Sequence, residues 1–257
     1  MNRVFAVAGV VIRELIRRKD FYVLFVLTFI ITVMMGSINI FDQEAVARYV
    51  KEICLLLIWL ATLVIAVTTT GRQLPAEKES RTIFPLLAKP ISRTEVILGK
   101  FLGCWIAVGI TLICFYLFFG VISVAKEHEF PVVNYLQAIG LHWVMLGIVI
   151  ALTLLGSLLL TPSANMSIVI LAVIGIMSLG EFLNQLAAKT GGMLGWLSYA
   201  LYFAIPHLEI FDVRERIIHG WAPVPWDAIG LACLYGAVYM AMLLTASSLL
   251  FRRKALN

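Results

Sequence analysis

Apolar runs close to twenty residues long recur along this chain, and they restrict its fold more than any other feature. The stretch LHWVMLGIVIALTLLGSLLL, 141–160, is one of them and holds no charged side chain. A helix of about 20 such residues rises about 30 Å, the thickness of a bilayer's hydrocarbon core. Backbone polar groups must be satisfied internally there, so runs of this length read as helices. Composition agrees, with 61% of residues hydrophobic and 14% charged, against about 45–50% and about 25% in soluble domains. No polar segment is long enough for a separate soluble domain, so residues 1–257 read as one all-α integral membrane domain.

Six transmembrane helices are predicted, at about 21–40, 53–70, 96–124, 135–160, 166–183 and 227–250. Lys and Arg orient them. Five fall between residues 3 and 19, six between 72 and 100 and three between 252 and 254, which is fourteen of the twenty in the chain. An N-terminus inside places all fourteen on the cytoplasmic side, with both termini there. The net charge of +5 is then a topology signal, and no nucleic-acid partner is expected. The stretch MLGWLSYALYFAIP, 193–206, is too short to cross. A span there would also move Arg252, Arg253 and Lys254 outside. It reads instead as an interfacial or re-entrant hairpin on the outer face before span six, with Trp196, Tyr199 and Tyr202 at headgroup depth.

Residues 2–20 form another element that does not cross. Val4, Val7, Val11 and Leu15 share one helical stripe, while Arg13 and Arg17 lie elsewhere. An amphipathic helix on the inner leaflet is expected.

The longest charged stretch, RQLPAEKESRTIFPLLAKPISRTEVILGK at 72–100, connects spans two and three on the cytoplasmic side. Pro75 stands where a first helical turn begins, with Glu77 and Glu79 near its positive end. A short helix parallel to the membrane is predicted over 75–84, broken by Pro85 and Pro90. Ser92 followed by Glu95 is a capping box that restarts a helix into span three. Gly99 and Gly103 form a GxxxG that permits a neighbouring backbone to approach. Three acids and the apolar Ile83, Phe84, Leu86 and Leu87 suit a protein-docking surface better than a loop that only binds anionic lipid.

The run GRQLPAEKESRTIFPLLAKPISRTEVILGKFLG, 71–103, resembles the corresponding loop of ABC-2-type transporter permeases. The shared order here is Arg72, Pro75, Glu77, Glu79, Arg81, Thr82, Leu86, Leu87, Lys89, Pro90, Ser92, Arg93, Gly99 and Lys100. YFAIPHLEIFD, 202–212, is similar to the subgroup linked to multicopper-enzyme maturation. The resemblance implies a membrane subunit in a bacterial cytoplasmic (inner) membrane, paired with a second copy or a related permease. Two separate ABC ATPase subunits would dock on a coupling element at 72–89, with Arg72, Pro75, Glu77, Glu79, Arg81, Thr82, Phe84, Leu86 and Lys89 at the contact. ATP and Mg would then sit on the partner, with no cofactor on this chain. The residues agree: Phe101 follows Gly99-Lys100 where a phosphate-binding loop needs Ser or Thr.

Other chemistry is sparse. Cys54, Cys104, Cys114 and Cys233 lie inside apolar runs without a CxxC pair, and read as buried free thiols. His128, His142, His207 and His219 fall near the outer side and make no metal-binding spacing with Met34 and Met35, so interfacial or loop hydrogen bonding is expected of them. Glu181, near the outer end of span five, is the candidate for lining a translocation path. Asp227 marks the start of span six, and Asn165 is expected to cap span five. No nucleophile stands beside a base, so no catalytic residue is expected. Two functions remain: export of a lipid, hydrophobic compound or envelope component, or an ATP-driven mechanical relay acting on a periplasmic partner through the outer segment 184–226. A secondary transporter is disfavoured, since no pair of broken helices or inverted repeat is evident.

Overall fold

The computed structural model describes residues 3–17, 26, 29, 30, 33, 44–75, 92–127, 131–189, 193, 195, 196 and 205–253. Among them every regular element is helical: α1 (Arg3–Arg17), α2 (Glu44–Gly71), α3 (Arg93–Glu127), α4 (Val132–Leu159), α5 (Pro162–Lys189), a 3-10 turn (Leu208–Phe211), the short α6 (Arg214–Ile218) and α7 (Trp226–Arg253). Local chemistry sets the boundaries. The capping box forms as read: Ser92 N donates to Glu95 Oε2 at 2.6 Å, and Glu95 N donates to Ser92 Oγ at 3.2 Å. Pro162 opens α5 at a position whose N–H has no helical partner anyway. Pro131 and Pro225 stand just before α4 and α7, where their carbonyls accept from Tyr135 N and Ile229 N.

Four of these helices have the length and composition to cross a membrane: Arg48–Pro75, Arg93–Val124, Val132–Leu159 and Trp226–Arg253. Hydroxyls inside them close back onto their own helix. Thr62 donates to Ile58 O, Thr69 to Ile65 O, Thr153 to Val149 O and Ser247 to Leu243 O, at 2.6–2.8 Å. Each polar group is thus satisfied without water. The predicted first span, 21–40, lies outside the described residues except for Val26, Phe29, Ile30 and Val33. The predicted fifth, 166–183, falls in α5.

The core is where α2, α3 and α4 meet. Leu55, Ile58, Leu63, Ile97, Leu112, Phe115, Leu141 and Met145 are fully buried in it. Trp105 Nε1 donates to Trp143 O at 2.9 Å and Trp143 Nε1 donates to Trp105 O at 3.0 Å, with the rings stacked at 4.6 Å, which fastens α3 to α4. Helix α7 buries Ala232, Gly236 and Leu244 and leaves Leu231, Leu234, Val238 and Met242 exposed, the pattern of a helix at the edge of a bundle.

Three expectations are corrected here. The apolar stripe of α1 faces protein rather than lipid: Val7, Ala8 and Val11 are buried against α3. A Cβ on Gly99 would sit 2.6 Å from Val7 Cβ, and one on Gly103 would sit 2.7 Å from Val11 Cβ, so the GxxxG is the seat of α1. Asn165 is not a cap. Because Pro162 already starts the helix, Asn165 lies inside α5, wholly buried, with Nδ2 donating to Thr153 O of α4 at 3.0 Å and its amide oxygen against Gly156. Among the thiols only Cys54 and Cys104 are buried. Cys114 is exposed and Cys233 intermediate, since those positions face away from the core.

Candidate coupling loop and outer polar pocket

Two polar constructions interrupt the apolar bundle, one at each end. At one end stands the root of the charged loop. Arg72 is an exposed turn residue just after α2, and Pro75 is half-buried in a helical stretch, 73–75, that begins immediately beyond it. Glu77, Glu79, Arg81, Thr82, Phe84, Leu86 and Lys89 lie outside the described residues. What is described is how the loop's two ends are held. Lys100, fully buried on α3, donates from Nζ to Gln73 Oε1 at 3.3 Å and to Gln73 O at 3.4 Å. Arg93 donates to Phe251 O at 2.8 Å and to Arg252 O at 3.1 Å, and its guanidinium lies 5.6 Å from the centre of the Phe251 ring. A cation at those last carbonyls of α7 meets the negative end of the helix dipole. Arg252 returns a bond to Thr94 Oγ1 at 3.1 Å.

At the opposite end, residues 205–225 fold back over the bundle as a cap. Asn134 Nδ2 of α4 donates to the carbonyls of Arg216 and Trp221 at 3.2 and 2.9 Å. Gln137 and Val224 exchange two bonds of 2.9 Å, and the Tyr235 hydroxyl of α7 accepts from His207 N at 2.9 Å. The cap's charged centre is the pair Asp212–Arg214, with bonds of 2.8 and 2.6 Å and about a fifth of each side chain exposed. The Arg214 guanidinium lies 5.5 Å from the centre of the Trp59 ring on α2. Burial works against both charges. For Asp212 it is outweighed by the hydrogen bonds and charge of Arg214, which hold the carboxyl below its ordinary pKa. For Arg214 the carboxylate likewise outweighs burial and keeps the guanidinium above its ordinary value.

Beneath this pair lies a cavity of about 10 Å³, room for about one water molecule, lined by Trp59, Tyr116, His142, Met145 and the stretch 211–214. His142 is the polar centre of its floor. Thr62 spends its hydroxyl proton on a carbonyl of its own helix, so at 3.2 Å it accepts from His142 Nε2–H. That places a proton on Nε2, with Nδ1 facing the Tyr116 hydroxyl at 3.5 Å. His142 is therefore a buried histidine of the bundle, not an interfacial one. Sequence reasoning missed this cluster, whose one local sign is an ionisable residue inside a span. Glu181 lies on α5, and its side chain is outside the described residues. Among the described residues no three His, Cys, Asp or Glu side chains gather as metal ligands.

Several helices long and apolar enough to cross a membrane define a multi-pass membrane protein. The model of the family described as ABC-2 family transporter protein matches residues 6–256, and the chain belongs to that family. No curated protein matches the chain. Members are membrane components of ABC transport systems, which work with an ABC ATPase subunit and are not themselves catalytic.

Proposed function

We propose that this chain is the permease subunit of an ABC exporter that moves a lipid, a hydrophobic compound or an envelope component. It works beside a second copy or a related permease in a bacterial inner membrane, with both termini in the cytoplasm. Two ATPase subunits, which carry the ATP and Mg, dock on the 72–89 loop. The observation that carries this reading is the loop itself: mixed charge, three prolines and an apolar strip between two helices of an ABC-2 chain. The described helices support an apolar cargo, since Thr62, Thr68, Thr69, Thr111 and Thr153 spend their hydroxyls on carbonyls of their own helices. Charge reversal tests it: a Glu77→Lys, Glu79→Lys, Arg81→Glu variant is purified in mild detergent from its host beside the wild type. An ATPase present at equal stoichiometry with the wild type and lost from the variant supports docking. A wild type that purifies without one sinks it.

The mechanical-relay alternative also has support, because the cap packs on α2 and α4, and α2 ends at the loop's root. ATP hydrolysis stimulated by an apolar compound favours export. Stimulation by a periplasmic protein alone favours the relay.

A further inference from the structure

The cavity beneath the cap has room for about one water-sized molecule, and its walls decide whether that room is filled. Cavities that stay empty are lined by apolar groups. This one is lined by Tyr116, His142, Asp212 and Arg214 as well as by Trp59, Ala138 and Met145. The polar four have bonding capacity to spare. The Tyr116 side chain is 1% exposed, and its hydroxyl has one hydrogen-bond partner among the described residues, His142 Nδ1 at 3.5 Å. That is long for such a bond. A hydroxyl donates once and accepts twice, so at least two of its three positions are open. The Arg214 guanidinium has five N–H groups, of which one on Nε and one on Nη2 go to Asp212.

These groups stand on two sides of a gap. Tyr116 belongs to α3 and His142 to α4, whereas Asp212 and Arg214 belong to the cap. Among the described residues, Asp212 and Arg214 bond each other and make no hydrogen bond to α2, α3 or α4. The cap's direct polar bonds run instead to Asn134, Gln137 and Tyr235, on α4 and α7. A small molecule that both donates and accepts would complete the floor and tie it to the pair above. Water does both, and the pair is neutral as a whole, so its net charge favours no ion over water. We propose that the cavity is a binding site for one water molecule, bonded to the Tyr116–His142 floor on one side and to Asp212–Arg214 on the other, which latches the cap to the bundle. A bridging water holds nearly as well as a direct bond. Unlike a side chain it can leave, so the cap opens by releasing it.

The test is radiolytic hydroxyl labelling of the full chain in lipid nanodiscs, started at set times after mixing into oxygen-18 water. Radicals made from a bound water label the side chains around it where bulk water does not reach. Met145 and Tyr116 are each 1% exposed. Both are expected to be labelled in the wild type, with oxygen-18 reaching them later than it reaches Trp221, which is 52% exposed. Tyr116→Phe lets oxygen-18 reach Met145 sooner. It also raises hydrogen–deuterium exchange of 208–218 about fivefold, the scale of one hydrogen bond. Ala138→Val takes up the room, leaves every polar group in place and abolishes the Met145 label. A wild type with Met145 and Tyr116 unlabelled has a dry cavity, which overturns the proposal. Label that arrives as fast as at Trp221 reveals a crevice open to bulk water and overturns it too. Unchanged cap exchange in Tyr116→Phe likewise overturns it. If Tyr116→Phe does not fold, Ala138→Val decides by its own cap exchange: a rise supports the latch and no change overturns it.

Discussion

Asp212 and Arg214 set how firmly the outer cap is shut. Replacing Asp212 with Asn leaves a guanidinium, mostly covered, against Trp59 without its hydrogen-bonded countercharge, with only the through-space attraction of Glu52 remaining. A loss of about 2 kcal/mol in cap stability is expected, below the figure for a wholly buried pair because each side chain keeps some exposure. Hydrogen exchange of 205–218 reads it, and unchanged protection refutes it. Acid gives the same result by another route. The Asp212 carboxyl titrates below its ordinary value in the folded state, so the pair's contribution is full above about pH 4 and is lost as pH falls through the folded value. Cap protection is expected to hold from pH 8 to about pH 5 and drop below about pH 4, and a loss already complete at pH 6 contradicts it. At this scale the sequence is legible only where partners are close. Ser92 and Glu95 are three residues apart and their reciprocal bonds were readable. Thr62 and His142 are 80 apart, and nothing local to either names the other.

Helix α1 illustrates what periodicity reveals about an element and what it withholds. The stripe Val4, Val7, Val11 was legible, and so was a close approach at Gly99 and Gly103. That the two belong to each other was not, because an apolar stripe serves lipid and protein equally well. Gly103→Val is expected to push α1 off its seat, since a Cβ there already lies 2.7 Å from Val11 Cβ and 2.9 Å from the Ala8 carbonyl oxygen. Overpacking of this kind costs about 1–3 kcal/mol. Faster proteolysis or exchange within 3–17, with 131–159 unchanged, is the expected result. Asn165 shows the opposite error. A local rule read it as a cap, whereas Pro162 had already opened the helix and tertiary packing used the amide to tie α5 to α4.

For the whole molecule, the consistent variable is sidedness. The all-helical architecture followed from the length of the apolar runs, whereas the predicted first span, 21–40, lies almost wholly outside the described residues. Placing Arg93 against the end of α7 and Trp221 against the start of α4 puts the loop root and the cap at opposite ends of the bundle. Single cysteines at 221 and 253 in an otherwise cysteine-free chain test the orientation in intact cells. Position 221 is expected to react with a membrane-impermeant maleimide at once, and 253 only after permeabilisation; the reverse order inverts the topology. The tryptophans divide by burial, Trp59 being only 6% exposed beneath the cap. Trp105 and Trp143 are stacked and hydrogen-bonded between two helices, whereas Trp196, Trp221 and Trp226 are 79, 52 and 68% exposed. The protein therefore carries its own optical gauge: brominated lipid and aqueous iodide will dim the outer set while the inner pair keeps its emission, so opening of the cap can be followed in an unlabelled chain by the colour of its fluorescence.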